Sequence, residues 1–574
     1  MINKIKNFFS LIESKLHYSL ICLLIFFGSI IEVLGISVAI PFIEVLTNST
    51  KKTFYNKYLF DFSNYFKIDL ITLIILILFL FFSIRLIYLV FLNYIQNKYV
   101  SIIQNRIANK IYSSYISQSQ EAHMMISSSV IIRDLTNDIN AFTGLIQSLF
   151  LFFIDIFFLF LILILIIYLV PLKLISLILI LLGASYLILI LIKYSSSKLG
   201  LAKTQIEQLR IKNIQQSFGA IKEIKISRNE FFFIQSFSIL QKKLSRLFFK
   251  QNFYQNLPKL GIEYIGLIIL LSFIFINIKV YNIDANIVVS GLALLFLLLI
   301  RILPSIIRLL NSAQNIHFYN PSIENLKKIL KLDSKKLIKN LSKRSSLRLK
   351  KFPKNIFIKN LSFEFSNSKR KIFQNFYSKI PINKITLVKG DSGRGKSTFI
   401  DILTGIIKPL KGGVWLNNQN IYDSNSLLKK WQNTIGYVPQ SLFIFDDTVV
   451  KNIAVGVDEK FIDQKKIVQI IKLLKIDKFL NKKKNGIDAL LGENGISLSG
   501  GEKQKIGIAR ALYKEPSVLI LDESTNAMDL NTEKEIMNNL KKIKTIKFII
   551  IVSHKKKIKS FYDHEINLNK IQAI

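Results

Sequence analysis

Long apolar blocks dominate the first 310 positions of the chain. A bilayer span needs about 20 mostly apolar residues, and six runs of that kind lie near positions 17–46, 68–95, 141–169, 172–194, 260–280 and 285–311. Two polar stretches between them, 96–140 and 195–257, keep apolar residues at helical spacing, which predicts that the helices continue beyond the membrane. The pattern therefore predicts an all-α transmembrane domain of six helices over residues 1–320.

A different pattern begins near residue 353. Short β runs alternate there with helical segments, which is typical of an α/β domain. The stretch between the two patterns, 321–352, is rich in Lys, Ser and Leu and predicts a helix end followed by a solvated basic linker. The chain is therefore predicted to be multidomain, with the six-helix domain followed by the linker and by an α/β domain over residues 353–574.

The charge balance is strongly basic. The formal net charge is +41 over 574 residues, of which 51% are hydrophobic. Such a balance fits either a nucleic-acid-binding protein or a membrane protein with Lys/Arg-rich cytosolic loops. Because the lysines are spread widely and no nucleic-acid motif occurs in the sequence, we expect a bilayer and no nucleic-acid partner. The many Lys and Arg residues of 195–257 place that stretch, and with it the α/β domain, on the cytosolic side.

A glycine-rich loop carries the strongest chemical signal. The pattern G-x-x-x-x-G-K-S follows a predicted strand at 385–388 and opens a predicted helix. Its glycines let backbone N–H groups approach a phosphate, and the helix N-terminus adds partial positive charge. Lys396 can reach the β- and γ-phosphates of a nucleotide, and Ser397 can ligate Mg²⁺. A nucleotide with β- and γ-phosphates and Mg²⁺ are therefore the expected cofactors, and the predicted binding loop consists of Gly390, Asp391, Ser392, Gly393, Arg394, Gly395, Lys396, Ser397 and Thr398.

Polar residues follow three more predicted strands, at the ends where open α/β sheets bind ligands. Asp522 ends the apolar run 518–521 and can hold Mg²⁺, while Glu523 can polarise water for attack on the γ-phosphate. Gln440 follows the run 435–438 and can reach Mg²⁺ or the attacking water. His554 follows the run 548–552 and could sense the γ-phosphate. We assign catalytic roles to Glu523, His554 and Gln440, and metal ligation to Ser397, Gln440 and Asp522.

A second helix N-terminus is predicted at Ser499. This serine is a plausible N-cap, and Gly500 and Gly501 expose their amides, so the turn can bind an anion. Since the chain has one phosphate loop, we expect the turn to bind the nucleotide that is held by another copy of the chain. Phe365, upstream of the loop, either stacks on adenine or is a core aromatic residue of a strand.

Ionisable residues inside predicted spans are costly and often functional. Arg301 and Arg308 are seven residues apart, hence near one face of the sixth helix. They either line a positive path for an anionic headgroup, or they reach the interface or pair with Glu32 or Glu263. The ionisable residues within the predicted spans are Glu32, Arg85, Asp155, Glu263, Arg301 and Arg308.

The order of these motifs resembles that of the ATP-binding cassette (ABC) superfamily. Residues 498–504, Leu-Ser-Gly-Gly-Glu-Lys-Gln, are similar to the signature sequence of that family, and six spans before one cassette resemble an exporter-type half-transporter. The resemblance implies a homodimer with two ATP molecules, each held between the Lys396 loop of one copy and the Ser499 turn of the other. It also implies that turns near 118–134 and 215–223 couple ATP hydrolysis to the spans.

Three further segments resemble lipid-linked oligosaccharide flippases and surface-polysaccharide ABC transporters: residues 35–42, residues 219–226, and the segment 301–308 with its two arginines. This resemblance implies a polyprenyl-pyrophosphate-linked glycan as substrate, the bacterial inner membrane as location and a cytoplasmic nucleotide domain. ATP-driven export or flipping of an amphipathic substrate is therefore the expected function. Two alternatives remain, namely export of a peptide or hydrophobic small molecule, and an ABC-type channel or sensor without vectorial transport.

Overall fold

The structure is a computed structural model that describes residues 15–46, 65, 70–169, 172–280, 285–331, 349, 352–365, 371–481, 485–553 and 562–570. The chain divides into two compact units, one helical and one α/β. The boundaries near residues 320 and 352 stay predictions; the last long helix of the helical unit ends at Lys331, and the first strand of the α/β unit begins at Asn355.

Six helices of more than 30 residues dominate the described part of the helical unit. Two π-helical turns, Asp134–Asp138 and Ile276–Val280, continue α4 and α8 respectively. The helices are α1 Lys15–Leu46, α2 Leu70–Ile116, α3 Gln120–Met125, α4 Ser128–Arg133, α5 Ile139–Leu169, α6 Leu172–Gly219, α7 Ile221–Ser227, α8 Glu230–Phe275 and α9 Ala285–Lys331.

Four helical segments of the described chain are long and apolar enough to cross a membrane by length and composition: Leu16–Gly35, Ile71–Ile116, Ser128–Ile167 and Glu230–Lys279. The other two predicted spans, 172–194 and 285–311, fall on α6 and α9, where many side chains lie outside the described residues. The prediction that polar stretches continue the helices is confirmed, because α2 runs to Ile116 and α6 to Gly219.

Two apolar clusters hold the helical unit together. In one, Ile25 of α1, Ile111 of α2 and Phe142 of α5 are fully buried with residues of α9. In the other, Phe158 of α5 and Ile262 of α8 pack with α9. α1, α5 and α9 each contribute buried residues to both clusters and so connect them. Burial of such side chains stabilises each helix far more than its intrinsic propensity does.

The α/β unit contains two sheets. An antiparallel sheet has the strand order β2-β1-β4-β5, and a parallel sheet has the order β6-β7-β8-β3-β9. The two β runs predicted at 356–358 and 361–365 form one strand, β1, with Asn360 at a positive φ of 50° between them. The strands are β1 Asn355–Glu364, β2 Lys371–Pro381, β3 Ile385–Lys389, β4 Lys411–Leu416, β5 Gln419–Asn420, β6 Ile435–Val438, β7 Val518–Asp522, β8 Phe548–Val552 and β9 His564–Asn567.

The parallel sheet is covered on both faces, as its continuous apolar strands require. Ile520 of β7 packs with β1 and with the helix that follows the phosphate loop, whereas Leu519 and Leu521 pack with the helices of the opposite layer. The helices of the α/β unit are α10 Lys396–Leu403, α11 Asn425–Gln432, α12 Val449–Ile453, α13 Gln464–Leu473, α14 Asp477–Leu480, α15 Gly500–Tyr513 and α16 Leu530–Lys541.

Candidate functional site

The glycine-rich loop, Gln440, Asp522 and Glu523 lie at the carboxyl edge of the parallel sheet. The glycine-rich loop follows β3, Gln440 follows β6, and Asp522 and Glu523 end and follow β7. In the strand order β6-β7-β8-β3 these elements are close neighbours, although the sequence separates the loop from Glu523 by more than a hundred residues. The topology therefore brings motifs that are distant in sequence together at one edge of the sheet, where open α/β sheets bind ligands.

The loop conformation depends on its glycines. Gly393 and Gly395 have φ values of 77° and 85°, which side chains rarely adopt. A Cβ atom at Gly395 would also collide with the side chain of Ile372. The loop therefore presents bare backbone at the start of α10, which is the arrangement that binds phosphate at a helix N-terminus.

Lys396 lies inside this loop. Its ammonium donates hydrogen bonds to the carbonyl oxygens of Gly390 at 2.8 Å and Asp391 at 3.0 Å, and the residue is 8% exposed. Burial lowers the pKa of Lys396, while the charges of Glu523, Asp391 and Asp522 oppose that shift. A cation surrounded by carbonyl and carboxylate oxygens at the mouth of a glycine loop is suited to meet phosphate oxygens.

Glu523 is held by two amide side chains. Gln440 Nε2 donates to Glu523 Oε2 at 2.9 Å, and Asn526 Nδ2 donates to the same oxygen at 3.3 Å. The backbone of Glu523 has a φ of 48°, and its N–H donates to Val552 O on β8. A non-glycine residue at positive φ is uncommon, and such strain often accompanies function. The structure thus brings together Gln440 and Glu523, which the sequence placed on separate strands.

The turn at Ser499 has the predicted capping geometry. The Ser499 hydroxyl accepts from Glu502 N at 3.4 Å, and the Glu502 carboxylate accepts from Ser499 N at 2.8 Å, which completes a capping box. Gln504 Oε1 accepts from Ala527 N at 3.1 Å. This bond connects the Ser499 turn to the loop that follows Glu523.

The donor set fits a hard cation bound together with a nucleotide. Mg²⁺ prefers oxygen ligands and usually takes only one or two from the protein, the rest coming from phosphates and water. The Ser397 hydroxyl is exposed at the start of α10 and Asp522 ends β7. Among the described residues, no group of three or more His, Cys, Asp and Glu side chains could hold a metal ion unaided.

Comparison with known proteins agrees with this geometry. Residues 373–526, which contain the glycine loop, Gln440, the Ser499 turn and Glu523, match the family model described as ABC transporter. Residues 373–526 are therefore similar to the ABC transporter family.

Relatives of the chain include proteins with names that indicate export. A Rickettsia typhi protein named an export ATP-binding/permease protein is 41% identical over 202 residues, covering 35% of this chain and 34% of that protein. A similarly named Rickettsia prowazekii protein is 28% identical over 483 residues, covering 81% and 79%. The ATP-dependent lipid A-core flippase of Vibrio parahaemolyticus is 34% identical over 200 residues, covering 35% and 34%. The chain thus spans about a third of the R. typhi and Vibrio relatives that it matches.

A solved structure matches nearly the whole chain. The structure of a bacterial Atm1-family ABC exporter with ATP bound has a TM-score of 0.75 at 17% identity, and the match covers 97% of this chain and 93% of that chain. At this identity the match shows the fold. The predicted fold class, a helical membrane domain before an α/β nucleotide-binding domain of half-transporter type, is confirmed.

Arg308 has a partner that the sequence did not suggest. Its Nη2 lies 2.8 Å from Oδ1 of Asp155, whereas the sequence offered Glu32 or Glu263 as partners. Glu32 instead pairs with Arg85, at 3.2 Å. Asp155 is fully buried, while Arg308 keeps 46% of its side chain exposed. Arg301 is exposed and interacts electrostatically with Arg85 and Glu32. Together with the pair Arg308 and Asp155, these three residues form the charge cluster of the helical unit.

Three further residues complete the comparison with the sequence. His554 lies outside the described residues. Phe365 follows the last residue of β1, is 37% exposed and meets Phe363 edge to face, so its ring is available on one side. Sequence reasoning missed Tyr437, whose hydroxyl donates to Asp522 Oδ2 at 3.2 Å. An aromatic residue in the strand before Gln440 was the signal that could have found it.

Proposed function

We propose that the chain binds ATP with Mg²⁺, hydrolyses it, and uses the free energy to export or flip an amphipathic substrate across a bacterial inner membrane, with its α/β unit in the cytoplasm. The observation that carries the proposal is the contact of Gln440 with Glu523 at the sheet edge. Glu523 follows β7, which lies next to β8 and two strands from β3, the strand that leads into the phosphate loop. A carboxylate in that place can polarise water, and the glycine loop can hold the phosphates.

Each residue has a specific task in this proposal. The loop amides and Lys396 bind and orient the phosphates, and Ser397 and Asp522 hold the cation. Gln440 orients Glu523, which takes the proton of the attacking water, and His554 contacts the γ-phosphate. Mg²⁺, when bound, neutralises phosphate charge. Phe365 stacks on the adenine ring.

The Ser499 turn requires a second copy of the chain. Its N-terminal amides and its position at the start of α15 suit a phosphate, and we propose that it binds the nucleotide held by the Lys396 loop of the partner. ATP then favours the state in which the two nucleotide domains are closed, and hydrolysis reopens them. The free energy available for switching is the difference in ATP affinity between the two states.

The proposed substrate is a lipid-linked saccharide with a pyrophosphate group. Support comes from the lipid A-core flippases among the relatives and from the charge cluster, where three arginines face two carboxylates and leave one positive charge in excess. Arg301 is exposed, and Arg308 keeps 46% of its side chain exposed although it pairs with Asp155. Arginine can bind phosphate oxygens bidentately.

Substitution of the proposed base tests the ATPase. Glu523→Gln keeps size and hydrogen bonding but removes basicity, so we expect hydrolysis to fall at least about 100-fold while ATP stays bound. The measurement is phosphate release and retained nucleotide in purified, reconstituted protein. Glu515→Gln is the matched control, because Glu515 is a surface residue paired with Lys466. Wild-type turnover in Glu523→Gln would refute the assignment.

A second experiment tests the substrate. Hydrolysis is measured in liposomes with and without polyprenyl-pyrophosphate lipids or peptides. Arg301→Gln with Arg308→Gln should lower the ratio of lipid-stimulated to unstimulated hydrolysis towards one, because the anionic group loses its partners. Asp155→Asn is added so that no buried carboxylate is left unpaired. Stimulation by peptides alone would refute the lipid proposal, whereas stimulation by lipid that survives the triple change would refute the assignment of Arg301 and Arg308 as the residues that bind its anionic group.

A further inference from the structure

Tyr437 of β6 reaches a residue of the neighbouring strand. β6 pairs with β7 in parallel register, with Tyr437 opposite Ile520. Asp522 lies two residues further along β7, so its side chain is on the same face as that of Ile520. Diagonal neighbours are within reach of long aromatic side chains, and the Tyr437 hydroxyl donates to Asp522 Oδ2 at 3.2 Å.

The carboxylate is shielded from water, and the tyrosine is half-buried. Asp522 is 7% exposed, and the ring of Tyr437 packs against the apolar layer between the two sheets. A hydrogen bond to a charged group in such surroundings fixes orientation and is costly to lose. The bond uses one oxygen of Asp522 and leaves the other for a cation.

A like charge lies nearby. Asp401 is four residues after Ser397 on α10, hence on the same face of that helix. Burial raises the pKa of Asp401, and the charge of Asp522 adds to this shift. Two carboxylates that repel each other tend to turn apart, and the donation from Tyr437 opposes this for Asp522.

We propose that Tyr437 is a positioning residue of the metal site, whose hydroxyl holds Asp522 in the orientation that binds the cation of the nucleotide complex. The inference rests on the proposed ATPase, because it assumes that Asp522 meets a metal–nucleotide complex. Tyr437, in the strand before Gln440, would then affect the affinity for the metal, whereas Gln440 itself orients Glu523.

The test compares full-length wild type with Tyr437→Phe, which removes the hydroxyl and keeps the ring. Mn²⁺ binding in the presence of a non-hydrolysable ATP analogue is measured by electron paramagnetic resonance, and analogue affinity is measured in EDTA. We expect Mn²⁺ to bind about five- to tenfold more weakly, as loss of one hydrogen bond to a charged group implies. Analogue affinity in EDTA should stay within about twofold, because the phosphate loop is unchanged.

A second tyrosine provides the matched control. The Tyr422 hydroxyl donates to the backbone oxygens of Ile402 and Ile407, away from Asp522. Tyr422→Phe should therefore lower stability without changing Mn²⁺ affinity. The inference is overturned if Tyr437→Phe binds Mn²⁺ as wild type does, or if Tyr422→Phe weakens Mn²⁺ binding equally. Since binding is measured without turnover, a wild type that binds Mn²⁺ and analogue but does not hydrolyse ATP would refute the ATPase proposal separately.

Discussion

A single arginine, Arg510 of α15, organises the segment that follows Gln440. It donates from Nη1 to Phe443 O at 3.0 Å and from Nε to Asn452 O at 2.9 Å, and its guanidinium lies 5.5 Å from the ring centre of Phe445. Asn452, fully buried, in turn donates to three backbone oxygens of the same segment. The loop that carries Gln440 towards Glu523 is therefore anchored by side chains and not by regular secondary structure.

Arg510→Lys should destabilise the nucleotide domain. A lysine has the charge but cannot reproduce the planar set of donors, so at least one backbone carbonyl loses its charged hydrogen-bond partner. We expect a loss of about 2 kcal/mol and a fall of several degrees in the unfolding midpoint, measured by thermal unfolding of the purified protein. An unchanged midpoint would show that the loop does not depend on this residue.

At the scale of helices, α6 and α9 approach closely at Gly200. A Cβ atom at this position would collide with the backbone oxygen of Phe318. The same helix contains Gly183, where a Cβ atom would meet no atom of the described residues within 4 Å. One helix thus offers a glycine required for packing and a glycine that packing does not require.

Gly200→Ala should lower the stability of the helical unit by about 1–3 kcal/mol, because the backbones of α6 and α9 must separate. Gly183→Ala should be neutral or stabilising by about 1 kcal/mol, since alanine favours the helix. Unfolding temperature in detergent and the yield of monodisperse protein measure both effects. Equal behaviour of the two variants would contradict the close crossing.

The elements themselves were largely predictable, and their contacts were not. Strand β7 is encoded locally, since four apolar residues before Asp522 suit a strand buried on both faces. The long helices follow in the same way from local hydrophobicity. The partner of Arg308 lies 153 residues away in Asp155, and no local pattern distinguishes it from Glu32 or Glu263. Tyr437 was likewise unpredictable as a partner of Asp522, because the register of two strands 80 residues apart determines that contact.

At the scale of the whole molecule, the proposed site is divided between two copies. The Lys396 loop and the Ser499 turn are both well formed in one chain, and each has the amides and the helix end that a phosphate needs. If each nucleotide uses the loop of one copy and the turn of the other, then every active site contains residues of both chains. A chain with a defective loop can still supply a sound turn to its partner.

Complementation between two inactive chains tests this division. Lys396→Ala and Ser499→Arg should each abolish hydrolysis as homodimers, because every site then lacks one half. Co-purified heterodimers of the two variants contain one site with a sound loop and a sound turn, and one site with both halves defective. We therefore expect hydrolysis to return to at most about half of the wild-type rate, since only one of the two proposed sites is complete.

Phosphate release from tandem-tagged heterodimers is the measurement, and Lys396→Ala mixed with itself is the control. If both halves of the site came from the same chain, the heterodimer would be as inactive as its parents.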